Sequence, residues 1–583
     1  MCNLHFCTLF NQNMLFFSAK TEIMRGFRLF IILLIIGFSS CVQRTTSVSR
    51  PKLIVGLVVD QMRWDYLYRY YERYGNGGFK RLLKDGYNCQ NTNLDYIPSF
   101  TGPGHACIYT GSVPSIHGIA GNNWIDNQTG ESWYCVDDEK VSLVGDKSKG
   151  PSYSPRNLLT TTITDELRLA TNFRSRVFGI AIKDRGSILP AGHTANAAYW
   201  YNDKTGDFVT STYYDTAFQN PGWLQAFNKQ DMADRLAKQN WQLLFDPSTY
   251  VQSTCDQNDY EDAFKGENSP VFPHKFSELA RADRVSAIKT APAGNTLTFA
   301  MASACIEGEK LGSKADPDFL CVSLSSTDYA GHQFAPNSVE VEDMYLRLDK
   351  EIESFLAYLD RNVGRGNYLF FLTADHGGAH NPKFLTDKKI PAGIGFNLTA
   401  DLNSYLKDEF KKDSLIRGIV NYQVFLNEDY IAANKSLNRD AIKTSVTRWI
   451  LDKMTGTYKI PVSYVLDLED MNKTPVPEPI RSMAINGYNR LRSGCLQIIL
   501  NPGWFESDRF TGTTHGTWNP YDSHIPLIWY GWHIPKGETH STTHMTDISA
   551  TLAALLHIQA PNGCIGKPIT EITDKVVEAV QSK

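Results

Sequence analysis

Aspartate and histidine recur in this sequence where short apolar runs end. Asp60 follows the run Leu53 to Val59, and Asp375 with His376 follows Asn367 to Ala374. The run Phe319 to Ser326 leads to Asp328 and His332. Asp and His together are the ligand set of catalytic zinc and related divalent cations. Asp328 and His332 are four apart, which places both on one face of a helical turn. A fourth run, Val177 to Ile182, ends in Lys183-Asp184-Arg185. Lys183 and Arg185 are two apart at a strand end, a spacing that sends both side chains to one side, and arginine can grip two oxygens of an anion with parallel N–H bonds. The glycine- and proline-rich segment Pro98 to His105 passes into Ala106 to Thr110, which suits a helix starting at the loop with its free N–H groups turned to an anion. Thr101 lies in that loop. A divalent cation beside such a hydroxyl lowers its pKa and yields a nucleophile that needs no histidine base.

Singly, each of these residues is an ordinary helix cap, turn residue or surface charge. The elements that carry them change the reading. All four runs have strand length and are strongly apolar, while Asp165 to Ala170 and Val339 to Leu359 carry helical patterns. That alternation argues an α/β fold around a buried sheet. In open α/β sheets the ligand crevice lies outside the carboxyl ends of the strands, so four ends far apart in sequence are expected to converge on one site.

Seven motifs sharpen this expectation: Val58-Val59-Asp60-Gln61-Met62-Arg63, Phe100-Thr101-Gly102-Pro103-Gly104-His105, Gly121-Asn122-Asn123-Trp124, Lys183-Asp184-Arg185, Asp328-Tyr329-Ala330-Gly331-His332, Ala374-Asp375-His376-Gly377 and Thr513-Thr514-His515-Gly516. They span nearly all the chain after residue 50 and resemble the alkaline phosphatase superfamily, most closely its PafA-type exported bacterial zinc phosphatases with a threonine nucleophile. The resemblance implies a three-layer α/β sandwich with a largely parallel central sheet and inserted cap elements. It implies two zinc ions, one held by Asp328, His332 and His515 and the other by Asp60, Asp375 and His376, with Thr101 bound to the second as nucleophile. His515 rests on the resemblance, because a histidine in a loop has no spacing signal of its own. Asn122, Lys183 and Arg185 would bind the phosphate. The implied activity is hydrolysis of small-molecule phosphate monoesters, broad towards the alcohol, through a phosphothreonine and with release of inorganic phosphate.

Two other readings stand beside it: a phosphodiesterase or nucleotide pyrophosphatase of the same superfamily, and a surface protein that binds metal or phosphate without turnover. The three phosphate donors favour the monoesterase, since a monoester carries a charge near −2 and a diester one fewer. A sulfatase would need a Cys or Ser in a formylglycine motif, and residues 100–104 offer none.

Composition sets the frame. The 583 residues are 42% hydrophobic and 21% charged, a globular balance, and 58 basic against 62 acidic residues give −4, so no bulk positive field draws the chain to nucleic acid. Residues 24–41 read as an export signal, with Arg25 and Arg28 before an apolar run too short to span a bilayer. Phe38-Ser39-Ser40-Cys41 resembles a lipoprotein cleavage box, which would place a lipid anchor on Cys41 in the periplasm or outer membrane, and Met24 is the expected start. The expected organisation is an upstream extension and signal over 1–40, the lipobox cysteine and a tether over 41–50, and a catalytic domain over 51–575. Insertions are expected at about 200–291 and 383–504, the second with helices at Tyr422 to Tyr430 and Thr444 to Met454. A monomer is expected. Eight cysteines lie beyond Cys41, none in a CxxC pair, which leaves disulfide pairing open. His105, His117, His193 and His380 are candidates for outer donors that orient ligands.

Overall fold

The computed structural model describes residues 49–146 and 151–581. The expected export signal, Cys41 and most of the tether lie outside the described residues. Eleven strands form one sheet: β1 (Leu53–Val59), β2 (Tyr87–Asn93), β3 (Leu143–Val144), β4 (Val177–Ala181), β5 (Ala197–Tyr201), β6 (Phe208–Ser211), β7 (Asp318–Leu324), β8 (Tyr368–Thr373), β9 (His524–Ile525), β10 (Leu527–Gly531) and β11 (Gly537–His544). Their order is β9-β2-β10-β8-β1-β7-β4-β5-β6-β3, with β11 paired to β2. The centre, β8-β1-β7-β4-β5, is parallel, and antiparallel strands flank it. The four apolar runs that end in ionisable residues are thus four adjacent strands. Val58 stands level with Thr373 on one side and Ser323 on the other, so the carboxyl ends meet at one height.

Every residue of β1, β4, β7 and β8 is buried, as parallel strands covered on both faces require. Helical layers supply the cover. On one, α1 (Thr101–Thr110) packs on α2 (Asp184–Ala191); on the other, α3 (Pro292–Glu309), α4 (Ser326–Phe334) and α5 (Val339–Leu359) pack on one another. The reason α5 forms is plain in its sequence. Ser338 caps it by accepting the Val341 N–H at 3.0 Å, Glu340 and Glu342 sit in its first turn, and Val341, Leu348, Ile352, Phe355 and Leu359 recur at helical spacing and are buried.

Three elements differ from the sequence reading. The helix expected from Ala106 begins at Thr101, because Phe100 is extended and Pro103 is tolerated in a first turn. Most of Tyr422 to Tyr430 is not helical: Asn421 and Tyr422 both take positive φ as the two-residue turn between strands Ile416–Val420 and Gln423–Leu426, and only its last residues lie in a short helix, Glu428–Ala433. The stretch 200–291 opens with β6 of the central sheet, and its later part packs Trp241, Phe264 and Phe276 on Phe334 and Met344 as a separate aromatic cluster. Residues 383–504 carry a four-stranded antiparallel sheet with its own core, including Leu402, Val424, Ile442 and Ile450. The helix expected at Thr444 to Met454 lies within Arg439–Trp449 and the π turn Ile450–Met454. All eight described cysteines are free thiols, and Cys321 is buried in β7. Among the described residues no helix is long and apolar enough to cross a membrane.

Candidate active site

The sheet delivers the candidate residues to one place. Asp60 directly follows β1, and Asp375 and His376 follow β8. Asp328 lies in the first turn of α4 with His332 one turn on, as their spacing predicts. Lys183 and Arg185 do not alternate on a strand: Lys183 is the N-cap of α2 and Arg185 lies in its first turn, so helix geometry aims them. His515 enters from the loop before β9. Asp328, His332 and His515 bring ligand atoms within 4.8 Å of one another, and so do Asp60, Asp375 and His376.

Each of the three imidazoles is fixed by a backbone carbonyl at Nδ1. His332 Nδ1 lies 2.8 Å from Thr513 O, His376 Nδ1 2.9 Å from Gly377 O, and His515 Nδ1 2.7 Å from Ser99 O. That arrangement protonates Nδ1 and leaves Nε2 as the ligating atom. The inward Nε2 atoms then face carboxylates: His332 lies 3.2 Å and His515 3.6 Å from Asp328 Oδ1, and His376 lies 3.6 Å from Asp60 Oδ1. The rings of His376 and His515 stack at 3.5 Å between centroids, placing the two groups side by side. Lys183 Nζ spans them, donating to Asp60 Oδ2 at 2.8 Å and Asp328 Oδ2 at 2.5 Å.

The electrostatics are those of a cation site. Burial and then the neighbouring Asp375 push the Asp60 carboxyl well above its usual value, and Asp60 Oδ1 is buried without a hydrogen-bond partner. Burial also opposes ionisation of Asp328, but His332 and Lys183 hold it well below the carboxylate range. Asp375 is likewise lowered against burial by His376 and His105. Lys183, against its own burial, is pushed up to about 12 by Asp328 and Asp60. Burial lowers both His376 and His515, which keeps them neutral and able to ligate. Three carboxylates, three Nε2 donors and an orphaned buried oxygen fit a pair of divalent cations.

Thr101 begins α1 at this centre, its Oγ1 lying 3.4 Å from His376 Nε2 and 3.3 Å from Lys183 Nζ. Gly104 allows the approach, since a Cβ there would stand 2.6 Å from Asp375 O. Asn122 is beside it, its Oδ1 accepting the Gly102 N–H at 2.8 Å. Arg185 has a buried Nε with no hydrogen-bond partner. Of the four outer histidines, His105 is at the site: Nδ1 lies 2.9 Å from Thr101 O and 3.2 Å from Asp375 Oδ2, and Nε2 lies 2.8 Å from Ser323 Oγ. His117, His193 and His380 make their hydrogen bonds elsewhere, to Ile119, Thr160 and Asn337. Gln61 was not foreseen. Its backbone N–H reaches Asp375 Oδ1 at 3.2 Å and its Nε2 reaches Asp328 Oδ1 at 2.7 Å, so one residue braces both groups. Its φ of 62° is the backbone strain often found at such positions, and its place after Asp60 was the available signal.

Fold and site together define a class of α/β proteins that gather Asp/His cation ligands and a helix-borne hydroxyl at the carboxyl edge of a parallel sheet. A sequence model of the type I phosphodiesterase / nucleotide pyrophosphatase family matches residues 54–522. The chain belongs to this family, within the alkaline phosphatase superfamily that its motifs resemble. It is 48% identical over 535 residues to alkaline phosphatase PafA of Elizabethkingia meningoseptica, covering 91% of this chain and 96% of that protein. It is 51% identical over 544 residues to a protein of Myroides odoratus named a calcium-transporting ATPase, covering 92% and 97%. The crystal structure of wild-type PafA superposes with a TM-score of 0.87 at 47% identity, over 91% of this chain and all of that one.

Proposed function

We propose that this chain is an exported, metal-dependent phosphate monoester hydrolase of broad specificity that works through a phosphothreonine on Thr101. The observation that carries the reading is the position of Thr101 Oγ1, between His376 of one cation-ligating group and Lys183, which bridges to the other. The similarity to PafA, an alkaline phosphatase, supports it. Two zinc ions held by Asp328, His332, His515 and by Asp60, Asp375, His376 would supply Lewis-acid stabilisation of the attacking and leaving oxygens.

The chain's own groups divide the remaining work. Asn122, whose Oδ1 is committed to Gly102, has its amide N–H groups left for a phosphate oxygen. Arg185 contributes its unpartnered Nε, and Lys183 places positive charge beside the hydroxyl. Thr101 Oγ1 bonds to phosphorus as the ester P–O bond breaks and the alcohol leaves. Water then takes the phosphoryl group from Thr101, releasing inorganic phosphate and restoring the hydroxyl. Every group named grips the phosphate, which is why the alcohol is left unspecified.

The family description favours a second reading, a diesterase, and one comparison separates the two. The mature protein is expected to show kcat/KM for a nitrophenyl phosphate monoester several orders of magnitude above the matching diester, abolished by chelation. A diester preference would move the enzyme to the other branch, and no metal-dependent hydrolysis of either would leave a binding protein. ATP belongs in the same panel, since a relative carries an ATPase name and a terminal phosphate offers the same highly charged phosphoryl group. Export with a lipid on Cys41 is part of this proposal, and mass analysis of the mature N-terminus tests it.

A further inference from the structure

Arg185 stands on α2, yet its guanidinium is oriented from another element. A short hairpin pairs Asn123–Ile125 with Ser132–Tyr134, Asn123 lying opposite Tyr134. Tyr134 Oη accepts from Arg185 Nη1 at 3.0 Å and donates to Asp184 Oδ1. The direction of these bonds is forced. A carboxylate only accepts, so the phenolic proton points to Asp184, and a guanidinium only donates, so the lone pair meets Arg185. Asp184 Oδ1 also takes the Arg185 backbone N–H, locking the first turn of α2 to the same oxygen. The phenol ring is held in turn by Tyr153, 5.6 Å away between centroids. Cys135 N donates to Asn122 O at 2.9 Å, so the hairpin that carries Tyr134 also carries Asn122 at its mouth.

We propose that Tyr134 is a positioning residue for monoester recognition: the hairpin sets Asn122 directly and Arg185 through the Tyr134 hydroxyl, so that two phosphate donors from different elements move as one unit. This rests on the reading of Arg185 as a phosphate ligand. With Nη1 anchored on Tyr134, the remaining guanidinium N–H groups, the unpartnered Nε–H among them, are left for phosphate oxygens. Rotation of an unanchored guanidinium by about an ångström is enough to lose a large part of its contribution.

The test is a double-mutant cycle of Tyr134→Phe and Arg185→Ala in the metal-loaded enzyme. It is read as monoester kcat/KM and as the inhibition constant of inorganic phosphate, with melting temperature and metal content as folding controls. Tyr134→Phe is expected to lower monoester kcat/KM about tenfold and weaken phosphate similarly, to leave diester hydrolysis within about twofold, and to cost nothing further once Arg185 is alanine. A loss that persists undiminished in the Arg185→Ala background, or no loss in Tyr134→Phe while Arg185→Ala is impaired, overturns the proposal alone. An Arg185→Ala enzyme with full monoester activity and phosphate affinity removes the reading beneath it as well.

Discussion

Thr101 and Gln61 mark the two kinds of residue at this centre, one proposed to react and one that braces the two Asp/His groups. Replacing Thr101 by Ala removes the hydroxyl but none of the six Asp and His side chains proposed to hold the metals, so turnover of a nitrophenyl monoester is expected to fall by about a thousandfold or more while zinc content by elemental analysis is retained. Normal turnover in that variant sinks the nucleophile assignment. Gln61→Leu keeps volume and removes the 2.7 Å amide bond to Asp328 Oδ1. Loss of such an outer partner is expected to weaken zinc binding about tenfold or more, read by competition with a chelator, and unchanged affinity would mean the bond is incidental. Gly331 is part of the same device, because a Cβ there would lie 1.8 Å from Gln61 Oε1. Asp60, Asp375, His376, Asp328 and His332 were legible because each follows an apolar run, a pattern one-dimensional enough to read. Gln61 and Tyr134 were not, since their parts depend on a positive φ and on a contact across a hairpin.

At the scale of elements, α5 was legible because its apolar period, capping serine and acidic first turn agree, whereas the Asn421-Tyr422 turn was masked by flanking residues that also suit a helix. That turn matters to the site: Asn421 Nδ2 donates to Asn123 O at 2.7 Å, tying residues 383–504 to the hairpin beside Asn122. A second tie acts through charge. His274 is buried between Glu267 Oε2 at 3.0 Å and Glu340 Oε1 at 3.3 Å, fastening the segment before α3 to the start of α5. Burial opposes its protonation, but the two carboxylates win and push it up to about 9. The stability from this imidazolium is full below its ordinary value near 6.5 and is lost as pH rises through about 9. Glu340 and Glu261 are raised by burial, so their ionisation erodes stability in the same direction. The melting temperature is therefore expected to fall by about 2 °C or more between pH 6.5 and 9.5, and His274→Gln to start lower and fall less. Parallel curves for the two proteins would show that His274 does not carry the slope.

For the whole molecule, the sheet converts sequence distance into proximity. Residues 60, 183, 328 and 375 meet because four parallel strands lie side by side, an order that strand patterning predicts in kind and only the fold specifies in detail. The consequence is an energetic conflict at the centre: Asp60, Asp328 and Asp375 are buried together, and the Lys183 ammonium bridges the first two. Of these carboxylates Lys183 bonds only Asp60 and Asp328, and Asp60 Oδ1 has no partner to offset its desolvation. Divalent cations that bind the folded centre and not the open chain should relieve that conflict and stabilise the whole fold by mass action. Chelation is accordingly expected to abolish turnover and also to lower the melting temperature by about 5 °C or more, with both restored by zinc. Asp60→Asn should lower the melting temperature of the metal-free protein less than that of the loaded one, because it removes both a ligand and a buried charge. A melting temperature indifferent to chelation, with metal loss verified by elemental analysis, would place the cations outside the balance that holds the sheet edge together.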